Sequence, residues 1–557
     1  MKKMKRIVAL ALAVIMVSGL LTGCGKKDKY ITLTIYSQLA NYSGEMQGWF
    51  AQILKDKFNV KVNLVPDGDG VYDTRMEAGD LGDIVVWGAD DKDYHQAVDA
   101  GLLYNWEEDN LVQEYGPYIY ENMQDALEKN REISSDDGIV YGFGHNVASS
   151  SESHDAFFYT WDIRWDLYQE LGQPEVKDLD DLMSVLEQMK EICPTGDNGK
   201  PTYAMSLWPD WDGNYVMYVK AMATAYYGYD ELGFGHYNVT NGEYYDALSP
   251  DSPYLEMLAW FNELYRKGLL DPDSMTQTYD NMIEKVQNGN VFFSIFNYAG
   301  SLAYNKEVHY SENKIMESLV PEEACPIVAG LSTLGGNRVW SIGANTQYPE
   351  LCMEIINWLC TPEGRLTTDY GPKGLCWDYD ENNKTYFTDF GKTCFEDRTT
   401  LMPEEWGGAT FNDGAFQVNN TTWTAADVNP ESGERYDQQY WASTQVPEGR
   451  CEAERNWREY TGCSTVDEYM NTCNYAVDVP TSFSLATLDP EMQAKWDQVA
   501  ICLKDYSWNA IYAETEADFE AIVSEMRGKA KSYGYDQYIE WCIEQAAIRN
   551  ELQAPLR

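Results

Sequence analysis

The chain of 557 residues is rich in flat side chains, with 18 tryptophans and 41 tyrosines. An indole or phenol face can cover the C–H face of a pyranose ring, while Asp, Asn and Gln bond its hydroxyls. That is recognition chemistry, with no bond to break. The aromatics placed for it lie in loops at the ends of predicted strands: Trp87, Trp208, Trp211, Tyr298, Trp340, Trp377 and Trp423. The polar groups at comparable positions are Gln38, Asp90, Asn146, Asp210 and Asn297. Trp358 and Trp541 fall on helical apolar faces and read as core. Trp161 and Trp165 fit core or cleft equally.

Catalytic patterns are missing. There is no G-x-S-x-G, no H-E-x-x-H and no P-loop, and the five histidines are scattered. A surface glycan-degrading enzyme would need two carboxylates at a set separation. With 90 acidic residues such a pair can always be drawn, so the count decides nothing. None of the 12 cysteines forms C-x-x-C, which removes the zinc knuckle and the thioredoxin-type site. Cys352, Cys360, Cys502 and Cys542 read as buried thiols. Cys451, Cys463 and Cys473 lie close enough in sequence for a disulfide between two of them, with the pair left open. No cofactor is expected.

The formal net charge of -49 repels polyanions, so nucleic acid is excluded as a partner, and anionic headgroups would repel the body of the protein too. The amino terminus supplies a different membrane contact. Lys2, Lys3, Lys5 and Arg6 precede the apolar run Ile7–Leu21, which ends in Leu21-Thr22-Gly23-Cys24. A basic head, a short apolar stretch and small residues form a secretory signal, here residues 1–23. The run is shorter than the roughly 20 residues that span a bilayer. Its end resembles the bacterial lipobox, which implies a diacylated Cys24 and a polar tether over 24–30. Two acyl chains hold a protein stably where one does not.

The elements behind these residues follow from periodicity. Ile31–Tyr36 alternates as a strand, Trp49, Phe50, Ile53, Leu54 and Phe58 recur at helical spacing, and Val60–Val65 is a second strand. Asp83–Trp87 is a third, apolar throughout as in a doubly covered parallel sheet. Ligands of such sheets lie beyond the carboxyl ends of the strands, here Ser37-Gln38 and Trp87–Asp90. Gly138–Asn146 is a glycine-punctuated strand, and a lobe boundary is expected near 144–158. Asp178 caps a helix carrying Leu179, Leu182, Met183, Leu186 and Met189, which Pro194 stops. Gly289–Tyr298 and Arg338–Ile342 read as strands, Pro349 opens a helix, and Asp489-Pro490 and Thr515-x-x-Asp518 open the long carboxy-terminal helices.

In order along the chain, the lipobox, Gly79-Asp-Leu-Gly-Asp83, Gly138-Ile-Val-Tyr-Gly142, Trp161–Gly172, Gly289-Asn-Val-Phe-Phe293, Ala344–Glu350, Asn357–Gly364 and Gly371-Pro-Lys-Gly374 resemble the extracellular solute-binding proteins of the family-1 lipoprotein type. These are the receptor components of bacterial ABC carbohydrate importers. The resemblance implies a two-lobed α/β fold of the type II periplasmic-binding class, with discontinuous lobes on a hinge and a ligand cleft between them. The expected lobes are 31–147 plus 297–345 and 148–296 plus 346–557. It further implies a monomer on the extracellular face of the cell membrane, or in the periplasm if the envelope has two membranes, not an enzyme, that binds an oligosaccharide and delivers it to permease subunits. Family members of this size often carry an EF-hand-like loop after the helix that ends near Cys193. Here Pro194–Lys200 is shorter than a twelve-residue calcium loop, so no metal is expected. A surface glycan hydrolase, or a sugar-binding sensor or adhesin without transport, is the alternative.

Overall fold

A computed structural model describes residues 30–40, 42–68, 70–135, 137–336, 338–418 and 426–557. Cys24, the leader before it and Trp423 lie outside these residues. The strand Ile31–Ser37 runs parallel to Val60–Pro66, with Ile31 opposite Val60 and Ser37 opposite Pro66, and parallel to Ile84–Val86 on its other side. A strand from far along the chain, Val339–Ile342, returns antiparallel with Trp340 opposite Val86 and pairs in turn with Gly142–Gly144. With the short strand Gly44–Glu45 at the far edge the sheet has six strands. The helix Gly48–Phe58 buries Trp49, Phe50, Ile53 and Leu54 on it, and Asn59 in the left-handed conformation closes that helix. Gly144 must be glycine, since a β-carbon there would lie 1.8 Å from the carbonyl oxygen of Gly336.

The second lobe is built on a narrower sheet. Tyr159–Arg164 sits between Phe293–Phe296 and Met316–Ser318, antiparallel to both. The helix Leu179–Ile192 starts where the Asp178 carboxylate accepts from the amides of Asp180 and Asp181, and it buries Leu182, Met183, Leu186 and Met189. Pro253–Arg266 and the terminal helices Pro490–Ile511, Glu516–Ser532 and Tyr535–Gln553 complete the core. Trp161 and Trp165, left open by the sequence, are both fully buried in it. None of the described helices is long and apolar enough to cross a membrane.

Packing divides the chain differently from the sequence-based boundaries. Ala299, Tyr304, Ile315 and Val328 belong to the second core, so 297–328 leaves the first lobe. Met316–Ser318 pairs with Tyr159–Arg164 and Ile327–Ala329 with Ala476–Asp478, partners that the local pattern did not identify. Residues from Cys352 to Trp441 belong to the first core, not the second. The helix Pro349–Cys360 follows the returning strand directly, and the Asn357 side chain accepts from the amides of Tyr118 (2.9 Å) and Ile119 (3.2 Å). Among the described residues the chain therefore crosses three times, within 148–156, between Ala329 and Val339, and within 442–450. At the first two crossings the strands lie side by side, with Ala148 N–H donating to Ser332 and Leu331 N–H to Ser153. The third is tied by the ion pair Arg435–Asp467 (3.3 Å), which joins one lobe to the other.

Candidate ligand-binding site

One aromatic surface assembles on the second lobe. Trp208 is fully buried and acts as its hub, meeting Trp211, Tyr218 and Tyr279 edge-on at 5.1–5.2 Å and Tyr298 at 6.2 Å. Trp211 stacks on Tyr279 at 4.6 Å, leaving half of its own surface (50%) exposed. Tyr298 lies 5.9 Å from Trp211 and 5.2 Å from Phe158, which is 46% exposed. The four outer rings form a continuous platform.

Local chemistry explains why it forms. Thr278 caps the helix Tyr279–Gln287 in a reciprocal capping box with Asn281, which puts Tyr279 on the first turn. The amide of Tyr279 also donates to Asp210 (2.9 Å), pinning the Trp208–Trp211 loop to that helix. Asp210 thus orients the platform from its edge. Where the strand Phe293–Phe296 ends, Asn297 donates from its backbone to Phe158 (3.2 Å) and from its side chain to Phe157 (3.1 Å). Those bonds hold Tyr298 and Phe158 side by side. Burial pushes the phenols of Tyr279 and Tyr298 above their ordinary range, so both stay neutral donors.

Phe158 also walls a cavity of about 360 Å³ beside the first two crossings, lined further by Asp155, Tyr159, Asn297, Val328 and Asp478. Burial pushes the carboxyls of Asp155 and Asp478 up. Asp478 is held by the Arg549 guanidinium at 2.8 and 2.9 Å and by Gln553 at 2.7 Å; Asp155 accepts from the amide of Ala156 at 2.8 Å. Platform and cavity together offer apolar faces flanked by an amide and two carboxylates.

The first-lobe candidates do not join them. Trp87 is fully buried, meets Tyr36, Tyr72 and Tyr94 edge-on, and donates to Ser341 Oγ (3.2 Å): it is core. Trp340 is buried mid-sheet, stacked with Phe416 at 6.3 Å. Trp377 is buried with its indole donating to Gly371 (2.8 Å). Gln38 spends its amide on Asp93 and Gly88, and Asp90 is held by His95 (2.9 Å) and Ser134, so these two tie loops together. Asn146, with φ of 77°, turns the chain into the first crossing and is half-buried there. Sequence reasoning missed Phe158 and Tyr279. Tyr279 was signalled by its place just after the cap Thr278; Phe158 lies in the apolar run Asp155–Trp161, which carries no cleft signal of its own.

Asp197, in the loop where calcium was weighed, is paired with Lys314 (2.5 Å) and His309 (3.5 Å). Among the described residues no cluster of His, Cys, Asp and Glu could hold a metal.

The architecture has known counterparts. A solved structure of the Streptococcus pneumoniae ABC-transporter substrate-binding protein FusA in complex with kestose superposes with a TM-score of 0.57 at 16% identity, covering 93% of this chain and 99% of that one. The N-glycan transport solute-binding protein NgtS from the same species superposes with a TM-score of 0.55 at 15% identity, over 94% and 99%. In sequence, the fructooligosaccharide ABC transporter substrate-binding protein FusA is 24% identical over 263 residues, 46% of this chain. That alignment spans somewhat under half (45%) of the relative. Residues 49–371 match the family model described as bacterial extracellular solute-binding protein. More than half of the sequence lies inside that match, and the chain belongs to the bacterial extracellular solute-binding protein family.

Proposed function

We propose that this protein captures an oligosaccharide between its lobes and delivers it to the permease of an ABC importer. The observation that carries the reading is the platform of Trp211, Tyr279, Tyr298 and Phe158 running into the cavity beside Asn297. Sugar rings are apolar on their faces and polar on their rims. A row of rings, two of them about half exposed, with amides and carboxylates at the edge matches that amphipathic pattern, and it suits a neutral chain longer than one sugar. Crossings of the hinge let the lobes rotate, and closure is driven by whatever extra contacts the ligand makes in the closed form. The named ligands of the two relatives, fructooligosaccharide and N-glycan, support the class.

Binding proceeds without hydrolysis in this reading. Asp478 is held by Arg549 and Asp210 is spent on the Tyr279 amide, so neither is free to act as acid or base. The protein is held outside the cell by acyl chains on Cys24, since the Leu-Thr-Gly-Cys ending leads within a few residues into the first strand at Ile31.

Calorimetry against a panel of neutral oligosaccharides tests the function. A ligand bound at micromolar affinity or better and recovered intact by chromatography is the expected outcome. Turnover of a bound glycan, abolished by one Asp or Glu substitution, would make the protein a hydrolase instead. For the anchor, mass spectrometry of the membrane-extracted protein should show a diacylated Cys24, and Cys24→Ala should abolish membrane retention.

A further inference from the structure

Two buried thiols of the first lobe sit on elements packed directly against each other. Cys376 and Cys394 are both fully buried in the first core. The helix Asp389–Glu396 starts at Thr388, whose amide donates to the Cys376 carbonyl (3.0 Å) and whose hydroxyl donates to that of Leu375 (2.6 Å). Thr388 in turn accepts from the amide of Gly391 (2.9 Å). Gly391 lies so close that a β-carbon there would sit 1.7 Å from the Cys376 carbonyl oxygen. The first turn of the helix therefore rests directly on Cys376. Cys394, three residues after Gly391, is on the same helical face one turn later. Each of the two thiols lies near enough to bear on the other's protonation.

We infer that Cys376 and Cys394 form a disulfide in the extracellular protein. Other thiols are differently engaged. Cys193, Cys463 and Cys473 each donate to a carbonyl of their own turn, at 3.5–3.6 Å. Of the three cysteines between which the sequence allows a bridge, Cys463 also bears on Cys473. Oxidation requires a partner, here a small-molecule disulfide. One cysteine thiolate attacks it and expels a thiolate, and the second cysteine attacks the mixed disulfide and expels another. Two protein S–H bonds are lost and one S–S bond forms, while the oxidant's S–S bond breaks and its two halves leave as thiols carrying the two protons. Burial pushes both folded thiols up and keeps them protonated, so the exchange takes place while this segment is open, and the finished bond resists reduction.

The bridge closes the hairpin of Trp377–Tyr379 and Thr385–Phe387 against the following helix. The chain then continues to Phe411, stacked on Trp49 at 5.5 Å, and to Phe416 on Trp340. A staple here steadies the wall of the first lobe.

The test uses the full chain, equilibrated either with oxidised glutathione or with a thiol reductant and then unfolded in iodoacetamide. Peptide mapping of the oxidised sample should show the Cys376 and Cys394 peptides joined, with two fewer alkylated thiols than in the reduced sample. The oxidised protein should melt about 3 °C or more above the reduced one. A variant carrying both Cys376→Ser and Cys394→Ser should lose that difference. Alkylation of both cysteines after oxidation, or a bridge to a different cysteine, would overturn the assignment. If the double variant fails to fold, the peptide map of the wild type still decides.

Discussion

The two lobes treat the same residue at the same kind of position in opposite ways. Each presents tryptophan and polar side chains where strands end. In the first lobe Trp87 vanishes into the interior, and Gln38 and Asp90 knot the loops to one another. In the second, Trp211 and Phe158 stay half exposed on a buried hub, Trp208. The difference follows from sheet width. A six-stranded sheet covered on both faces encloses the ends of its central strands, whereas a three-stranded sheet leaves them as an open lip. Being at a strand end is therefore no guide to binding until the neighbouring strands are known.

The largest expected effect tests the buried side of this contrast. Trp87→Ala removes an indole enclosed by three tyrosines and orphans Ser341, and it should cost about 3–5 kcal/mol of stability. Affinity measured on the surviving folded fraction should stay near wild type. A variant that folds normally and fails to bind would show that Trp87 faces ligand after all.

Next comes the exposed side. Trp211→Ala should leave the melting temperature nearly unchanged, because the ring is half in water. Loss of a binding hot spot costs at least about 2 kcal/mol, so calorimetry should show affinity weakened about thirtyfold or more. Unchanged affinity would move the site off the platform. Run together, the two variants separate stability from recognition.

How much of this was legible in the sequence depended on the range over which each feature is decided. Helices with their own punctuation, such as Leu179–Ile192 after Asp178 and Pro490–Ile511 after Asp489, are set by residues a few positions apart, and their patterns gave them correctly. So was the parallel order of the first three strands. The fate of Trp87 was decided 254 positions away, where Ser341 on the returning strand receives its indole N–H. The allocation of 346–441 failed for the same reason: an amphipathic helix such as Pro349–Cys360 declares a buried face without declaring which core receives it. At the proposed site, Trp208–Trp211 and Asn297–Tyr298 were legible because loop aromatics are a local signal. Their partners Phe158 and Tyr279 arrive from other elements, and only the fold brings them together.

A smaller effect compares one buried histidine in each lobe. Burial pushes His145 of the first lobe down to about 3 and His236 of the second down to about 4. The unfolded chain takes up these protons near pH 6.5, while the folded chain refuses them until much lower pH, so stability falls as pH drops below about 6.5. Each contributes up to about 1.4 kcal/mol per pH unit between 6.5 and 4.5. Asp162, raised to about 6 by burial, works in the opposite sense, since the folded state protonates it first. The telling quantity is therefore the gap between the wild type and His145→Gln or His236→Gln. That gap should turn against the wild type on acidification, read by calorimetric melting at pH 7, 5.5 and 4.5. A gap independent of pH would mean the imidazoles are solvated.

The smallest effect expected is none at all, and it bears on which lobe governs recognition. If the second-lobe platform carries the affinity, the groups that meet ligand keep their charge from pH 7 to pH 9. Tyr279 and Tyr298 are held above the ordinary phenol range near 10, and behind the cavity wall the Arg549 guanidinium, lowered by burial but held up overall by Asp230 and Asp478, stays charged throughout. The affinity for a neutral oligosaccharide should then vary less than about twofold over that interval, because tenfold needs 1.4 kcal/mol and no ionisation is there to supply it. A steady decline towards pH 9 would require a group that loses its proton in contact with ligand. The platform has none, so the first lobe would have to supply one on closing, and the balance between the lobes would be the reverse of the one drawn from their burial.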